Sequence, residues 1–146
     1  MYVRELTVCY RQRLVNGAPV PSSPVTTPGK AAGVLVPILE QEAVEVCGVL
    51  CLSTKNYLLA YHELSRGTLD HTLVHARDVF RVALLANAAG VIVAHNHPSG
   101  DLTPSPEDAI LTDRLQRAGA VVGVELIDHV IVADGRYFSF QEARRL

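Results

Sequence analysis

The chain has 146 residues, 49% of them hydrophobic and 19% charged, with a formal net charge of −2. That length suits one domain with a sizeable core, and the composition is that of a folded globular protein. No Lys/Arg run exceeds Arg144-Arg145, which argues against a sequence-independent nucleic-acid binder, and polar residues break every apolar run within about ten positions, too soon for a membrane span.

Met1–Arg13 (MYVRELTVCYRQR) alternates apolar and polar residues as an opening strand does. Val15–Pro28 contains Asn-Gly, Pro-Ser-Ser-Pro and Pro-Gly and reads as a loop. Residues 1–27 are therefore expected to form a strand-and-loop extension ahead of a domain at 28–146. Lys30–Leu39 predicts a helix, with Pro37 near its end. Val44–Leu52 (VEVCGVLCL) is a strongly β-prone run, and Ser53-Thr54-Lys55-Asn56 turns it into a second strand, Tyr57–Leu64, making a hairpin. Arg77–Asn87 carries a helical stripe of Val79, Phe80, Ala83, Leu84 and Ala86.

Cys9, Cys47 and Cys51 make an odd count with no signal peptide ahead of them. Cys47 and Cys51 would lie about 13 Å apart along an extended strand, too far for a disulfide or a shared zinc ion. Small buried thiols in a reducing cytoplasm are the expectation.

The apolar run Gly90–Ala94 has the β-branched content of a buried strand and ends in His95 and His97. Residues i and i+2 of an extended chain share a face, so both imidazoles can reach a common point beyond the strand. The turn-rich Pro98-Ser99-Gly100-Asp101 follows. Next comes a helix start, with Ser105 placed to cap, Pro106 at the first helical position, and Glu107 and Asp108 in the first turn. A single histidine at a strand end is more often a hydrogen-bonded structural residue than a ligand, and Ser-Pro-Glu-Asp would open a helix in any protein. Neither explains the conjunction. Two imidazoles and one carboxylate (His95, His97, Asp108) are the ligand set of a catalytic zinc site.

Glu107–Ala118 continues as a helix that Gly119 is expected to stop. Val121–Val132 is a strand region, Asp134-Gly135 a tight turn, and Arg136–Phe140 a short strand. Helices and strands on one apolar core predict an α/β domain.

His95-x-His97-x(7)-Ser105-x-x-Asp108 resembles the full JAMM (MPN+) metallopeptidase motif. AHNHPSGD at 94–101, PSPED at 104–108, GTLDHTLVHARDVF at 67–80 and DHVIVADGRYFSFQEA at 128–143 are similar to the RadC branch of that superfamily. The likeness covers roughly residues 28–146. It implies a JAB/MPN domain, a mixed β-sheet flanked by helices and related in architecture to cytidine deaminases. It also implies a zinc-dependent peptidase or isopeptidase acting on a protein or peptide substrate. Ala76 and Ser53 stand where the RadC pattern usually has Pro and Asp, and neither position is a ligand. RadC-type proteins commonly carry an N-terminal helix-hairpin-helix region, and nothing like it fits in Met1–Gly29, so this chain looks like the catalytic-type domain alone.

Zinc lowers the pKa of a coordinated water, and amide hydrolysis then needs a group that takes a proton and returns one to the leaving amine. JAMM enzymes use a Glu from an earlier strand. Glu45 is the candidate, because it sits in an apolar run where an unpartnered carboxylate is costly and because the RadC pattern places the family Glu there. Glu42 is the alternative, and a solvent-facing Glu45 remains a competing reading. The resemblance gives Ser105 a second role beyond capping, as an oxyanion donor. His75 and His129 match the RadC pattern and read as supporting or structural groups, while His62 and His71 read as surface residues. The other reading, prompted by the family's association with DNA repair, is a binding or accessory protein without peptidase activity. The literal His-Asn-His does not fit an HNH nuclease, which spreads those residues over a ββα unit. A deaminase is discounted because His-x-Glu with Pro-Cys-x-x-Cys is absent.

Overall fold

The computed structural model describes residues 1–12, 21–67 and 74–146. Residues 13–20, which include the first part of the Val15–Pro28 loop, and residues 68–73 with His71 lie outside the described residues. Among the described residues, three helices and five strands follow in the order α1 (Pro28–Leu39), β1 (Val46–Leu52), β2 (Leu58–Arg66), α2 (Ala76–Leu85), β3 (Gly90–Asn96), α3 (Pro106–Val122), β4 (Glu125–Ala133) and β5 (Arg136–Ser139). The strands form one open mixed sheet in the order β2-β1-β3-β4-β5. All neighbours are antiparallel except β3 and β4, whose parallel pairing runs through the crossover helix α3.

Every residue of β1 and β3 is buried, because helices cover both faces of the sheet. On one face Leu35 and Leu39 of α1 pack with Leu50, Ile92, Ala94, Val130 and Val132. On the other, Val79, Phe80 and Ala83 of α2 and Leu115 of α3 pack with Cys47, Val49, Val91 and Val93. The odd-numbered positions of β3 thus face α2 and α3, and the even-numbered ones face α1. That alternation decides where the two halves of the His-Asn-His sequence point.

Met1–Gln12 is exposed throughout and forms no strand, contrary to the alternation read from its sequence. A period of two makes a strand only where a neighbour completes the hydrogen-bond ladder, and none of the described strands pairs with it. α1 begins two residues before its predicted start because the Thr27 hydroxyl accepts the Lys30 N–H and Pro28 follows at the first helical position. Cys47 and Cys51 are buried free thiols in β1, as expected, but Cys9 is exposed.

Gly119 does not stop α3. The helix runs to Val122 and closes at Gly123, whose φ of 83° is the left-handed conformation glycine adopts without strain. Consequently Val121 and Val122 are helical and β4 starts only at Glu125. Gly119 is there for space: a Cβ would lie 2.3 Å from the Val124 carbonyl oxygen and 3.2 Å from the Phe80 ring. Gly→Ala inside a helix normally stabilises by up to about 1 kcal/mol. At Gly119 the sign reverses. The variant is expected to be less stable by about 1–3 kcal/mol in urea unfolding, since backbone must move to admit the methyl; an unchanged or raised midpoint would contradict this packing.

Candidate metal centre

Three side chains meet where β3 leaves the sheet. His95 is the sixth residue of β3 and lies 3% exposed on the α3 side, in line with Val91 and Val93. His97 follows two residues later, its backbone N–H donating to the Val132 carbonyl at 2.9 Å, so β4 still holds the chain there. Asp108 comes from the first turn of α3. It belongs to a capping box in which Ser105 Oγ accepts the Asp108 N–H at 3.1 Å and Asp108 Oδ2 accepts the Ser105 N–H at 2.8 Å. The box that starts the helix also fixes the carboxylate's rotamer.

His95 Nε2 lies 3.0 Å from His97 Nε2 and 3.2 Å from Asp108 Oδ1, and His97 Nε2 lies 3.5 Å from Asp108 Oδ2. These three residues can each offer one ligand atom within 4.8 Å of the others. The chemistry of the set fits a metal. His97 Nδ1 is 2.6 Å from the Asp101 carbonyl oxygen, which can only accept, so that nitrogen carries the hydrogen and Nε2 offers its lone pair. Two imidazole nitrogens and a carboxylate gathered this closely could hold a metal ion.

The electrostatics agree. Burial opposes the Asp108 charge, but the adjoining His95 and His97 rings and the Ser105 amide outweigh it and hold the carboxyl well below its usual range. The adjoining Asp108 carboxylate raises His97 above its ordinary value against burial, helped by the Asp101 carbonyl and by the charge of Glu45. Burial pushes the neighbouring Cys47 thiol far up, with Glu45 and Asp108 adding to it, so this sulfur stays protonated.

Glu45, half-buried, is the residue immediately before β1. Cys47 pairs with His95 as the last registered pair of the β1–β3 ladder, so Glu45 lies two residues beyond it at the end of the sheet where His97 also emerges. Its charge reaches both His97 and Cys47. Glu42, the alternative, is engaged by the Arg66 guanidinium at 2.6 and 3.1 Å. The backbone around Glu45 is pinned by Asn96, the residue between the two histidines, which points to the other face of β3. Asn96 Oδ1 accepts the Val46 N–H at 2.7 Å, and Nδ2 donates to the carbonyls of Val44 at 2.9 Å and Glu42 at 3.2 Å. The Gly67 N–H donates to the Glu45 carbonyl at 2.8 Å. Asn96→Ala orphans those buried backbone groups, at about 1–3 kcal/mol for each one left unpaired. The variant should unfold at clearly lower urea while its His95, His97 and Asp108 still take up metal; wild-type stability would show that the clamp is dispensable.

The remaining histidines divide as follows. His129 is fully buried beneath the cluster and pushed down to about 3 by burial and the His95 charge. His62 is exposed on β2, and His75 is exposed at the start of α2, where its side chain caps nothing. Asn96 and Thr112 were not among the residues read from the sequence, whereas His129 was read there as a supporting or structural group. Their contacts span 50, 17 and 34 residues, and the one local signal was the i, i+4 spacing of Asp108 and Thr112 on α3.

A family model described as the RadC-like JAB domain matches residues 25–146. A UPF0758 protein of Thermotoga maritima is 55% identical over 108 residues, 74% of this chain and 47% of that protein. UPF0758 proteins of Staphylococcus aureus strains bovine RF122 and NCTC 8325 are each 40% identical over 119 residues, 82% of this chain, covering 52% and 55% of those proteins. The chain thus spans about half the length of the curated relatives it matches.

Proposed function

Because this chain belongs to the RadC-like JAB domain family, we propose that it is a zinc-dependent amide hydrolase, a metallopeptidase or isopeptidase of the JAMM type acting on a protein or peptide substrate. The observation that carries this reading is the convergence of His95, His97 and Asp108 within 4.8 Å at the end of a buried strand. Those three would hold zinc, which would supply Lewis acidity and a water acidified into the neutral range. The chain's own residues do the rest. Glu45, two residues beyond the Cys47–His95 pair, accepts a proton at its carboxylate and returns it to the leaving nitrogen. Ser105 spends an oxygen lone pair on the Asp108 amide and keeps its hydrogen for the oxygen of the attacked carbonyl. Asn96 keeps Glu45 in place from behind.

A DNA-associated role calls instead for a basic face. Arg66, Arg81 and Arg117 each pair with a neighbouring acid, which favours the peptidase reading. No helix among the described residues is long and apolar enough to cross a membrane.

The test is cleavage by zinc-loaded protein of a pool of peptides and isopeptide-linked conjugates in ¹⁸O-enriched water, read by mass spectrometry. We expect new carboxylates carrying one heavy oxygen, lost with a chelator and restored by zinc. A zinc-loaded chain that cuts no amide in the pool would overturn the hydrolase assignment.

A further inference from the structure

We propose that His129 is a positioning residue that fixes the tautomer and ring orientation of His95, through a directed hydrogen-bond chain running His95–His129–Thr112–Asp108. This rests on the metal-centre reading above and assigns a task to two buried residues outside the ligand set. His95 Nδ1 lies 3.0 Å from His129 Nε2, His129 Nδ1 lies 2.7 Å from Thr112 Oγ1, and Thr112 Oγ1 lies 2.7 Å from the backbone carbonyl oxygen of Asp108. His95, His129 and Thr112 are at most 3% exposed, so water does not enter the count.

The direction of every link follows from what each atom can do. A carbonyl oxygen only accepts, so the single Thr112 hydroxyl hydrogen goes to Asp108, the usual i−4 bond of a helical threonine. Thr112 Oγ1 can then only accept from His129, which places a hydrogen on His129 Nδ1. With that hydrogen on Nδ1, neutral His129 offers a lone pair at Nε2, and His95 must donate its Nδ1–H to it. The lone pair of His95 Nε2 is thereby aimed at His97 and Asp108. Reversing the chain would put a hydrogen on His95 Nε2, where it blocks ligation, and would leave the Asp108 carbonyl facing an oxygen at 2.7 Å with no hydrogen between them.

The ring that does this is itself locked. Phe140 stacks on His129 at 4.9 Å between centroids and 8° between planes, and the Phe140 N–H donates to the His129 carbonyl at 3.0 Å. The chain starts at one metal-binding residue and ends at another, so it ties β3 to α3 through β4. A histidine whose far nitrogen donates to a neutral acceptor is held in place and made a better donor to a cation, and losing such a partner weakens metal binding by about 10–100-fold.

Two measurements test this. Zinc affinity, from competition with a chromophoric chelator, should fall about 10–100-fold in Thr112→Val and His129→Phe. Thr112→Ser, which restores the hydroxyl, should recover to within a few-fold of wild type. Long-range ¹H–¹⁵N NMR of the metal-free wild type should show hydrogens on Nδ1 of both His95 and His129, and Thr112→Val should lose that fixed pattern. Wild-type zinc affinity in folded Thr112→Val, or a hydrogen on Nε2 of either ring in the metal-free wild type, would overturn the proposal while leaving the metal centre standing. A wild-type chain that takes up no zinc would overturn the metal centre, and this proposal with it.

Discussion

Glu45→Gln is expected to leave zinc binding unchanged and to lower amide turnover by about 10²–10⁴-fold, some 3–5 kcal/mol of transition-state stabilisation. Glutamine keeps the size of the side chain and its place before β1 but can neither take a proton nor return one. Glu45 stands outside the ligand cluster, so the donors at His95, His97 and Asp108 are untouched. It does lie near enough for its charge to help raise His97. A secondary consequence follows with its sign: without that charge the metal-free His97 imidazole should titrate at lower pH than in wild type. The decisive comparison is activity against zinc content in the same preparation. Turnover lost with zinc retained identifies the proton carrier. Turnover retained would remove Glu45 from the chemistry, and turnover lost together with zinc would place it among the ligands.

Asp108→Ala carries the second large effect, on stability as well as on metal. Ligand binding to the folded state alone stabilises by about 2.7 kcal/mol at a hundredfold excess over Kd. For a chain of this size that is a rise of roughly 5–10 °C in Tm for wild-type protein given zinc. Asp108→Ala removes the only carboxylate of the ligand set, so the zinc-dependent rise should vanish. Its metal-free Tm should fall as well, because the methyl cannot accept the Ser105 N–H and half of the capping box is lost, about 1 kcal/mol. Ser105→Ala separates the two effects. It removes the other half of the cap but no ligand, so its metal-free Tm should drop while the zinc-dependent rise persists. A zinc-dependent rise that survives in Asp108→Ala would mean that the carboxylate is not part of the site.

Much of this was legible in the sequence because it is local. A strand end places His95 and His97 on one side by the period of two, and Ser105-x-x-Asp108 announces both a helix start and the orientation of its carboxylate. The illegible parts depend on neighbours distant in sequence. Gly119 looked like a stop because glycine often ends helices, but its reason is the close approach of Phe80 and of the Val124 carbonyl. Met1–Gln12 has the alternation of a strand and, among the described residues, no strand pairs with it. Asn96 faces away from the ligands flanking it and works on backbone fifty residues earlier, which no local periodicity reveals. His129 sat in an apolar run where a buried histidine is ordinary, and only the β3–β4 pairing brings it under His95.

The most direct test of the metal centre is the zinc bound per chain after metal-free wild-type protein is incubated with zinc and exhaustively dialysed, measured by elemental analysis beside His95→Ala. One zinc per chain in wild type, lost in the variant, is the expected result. A wild-type chain that retains no zinc, or a variant that retains as much as wild type, would contradict a metal site built on His95, His97 and Asp108.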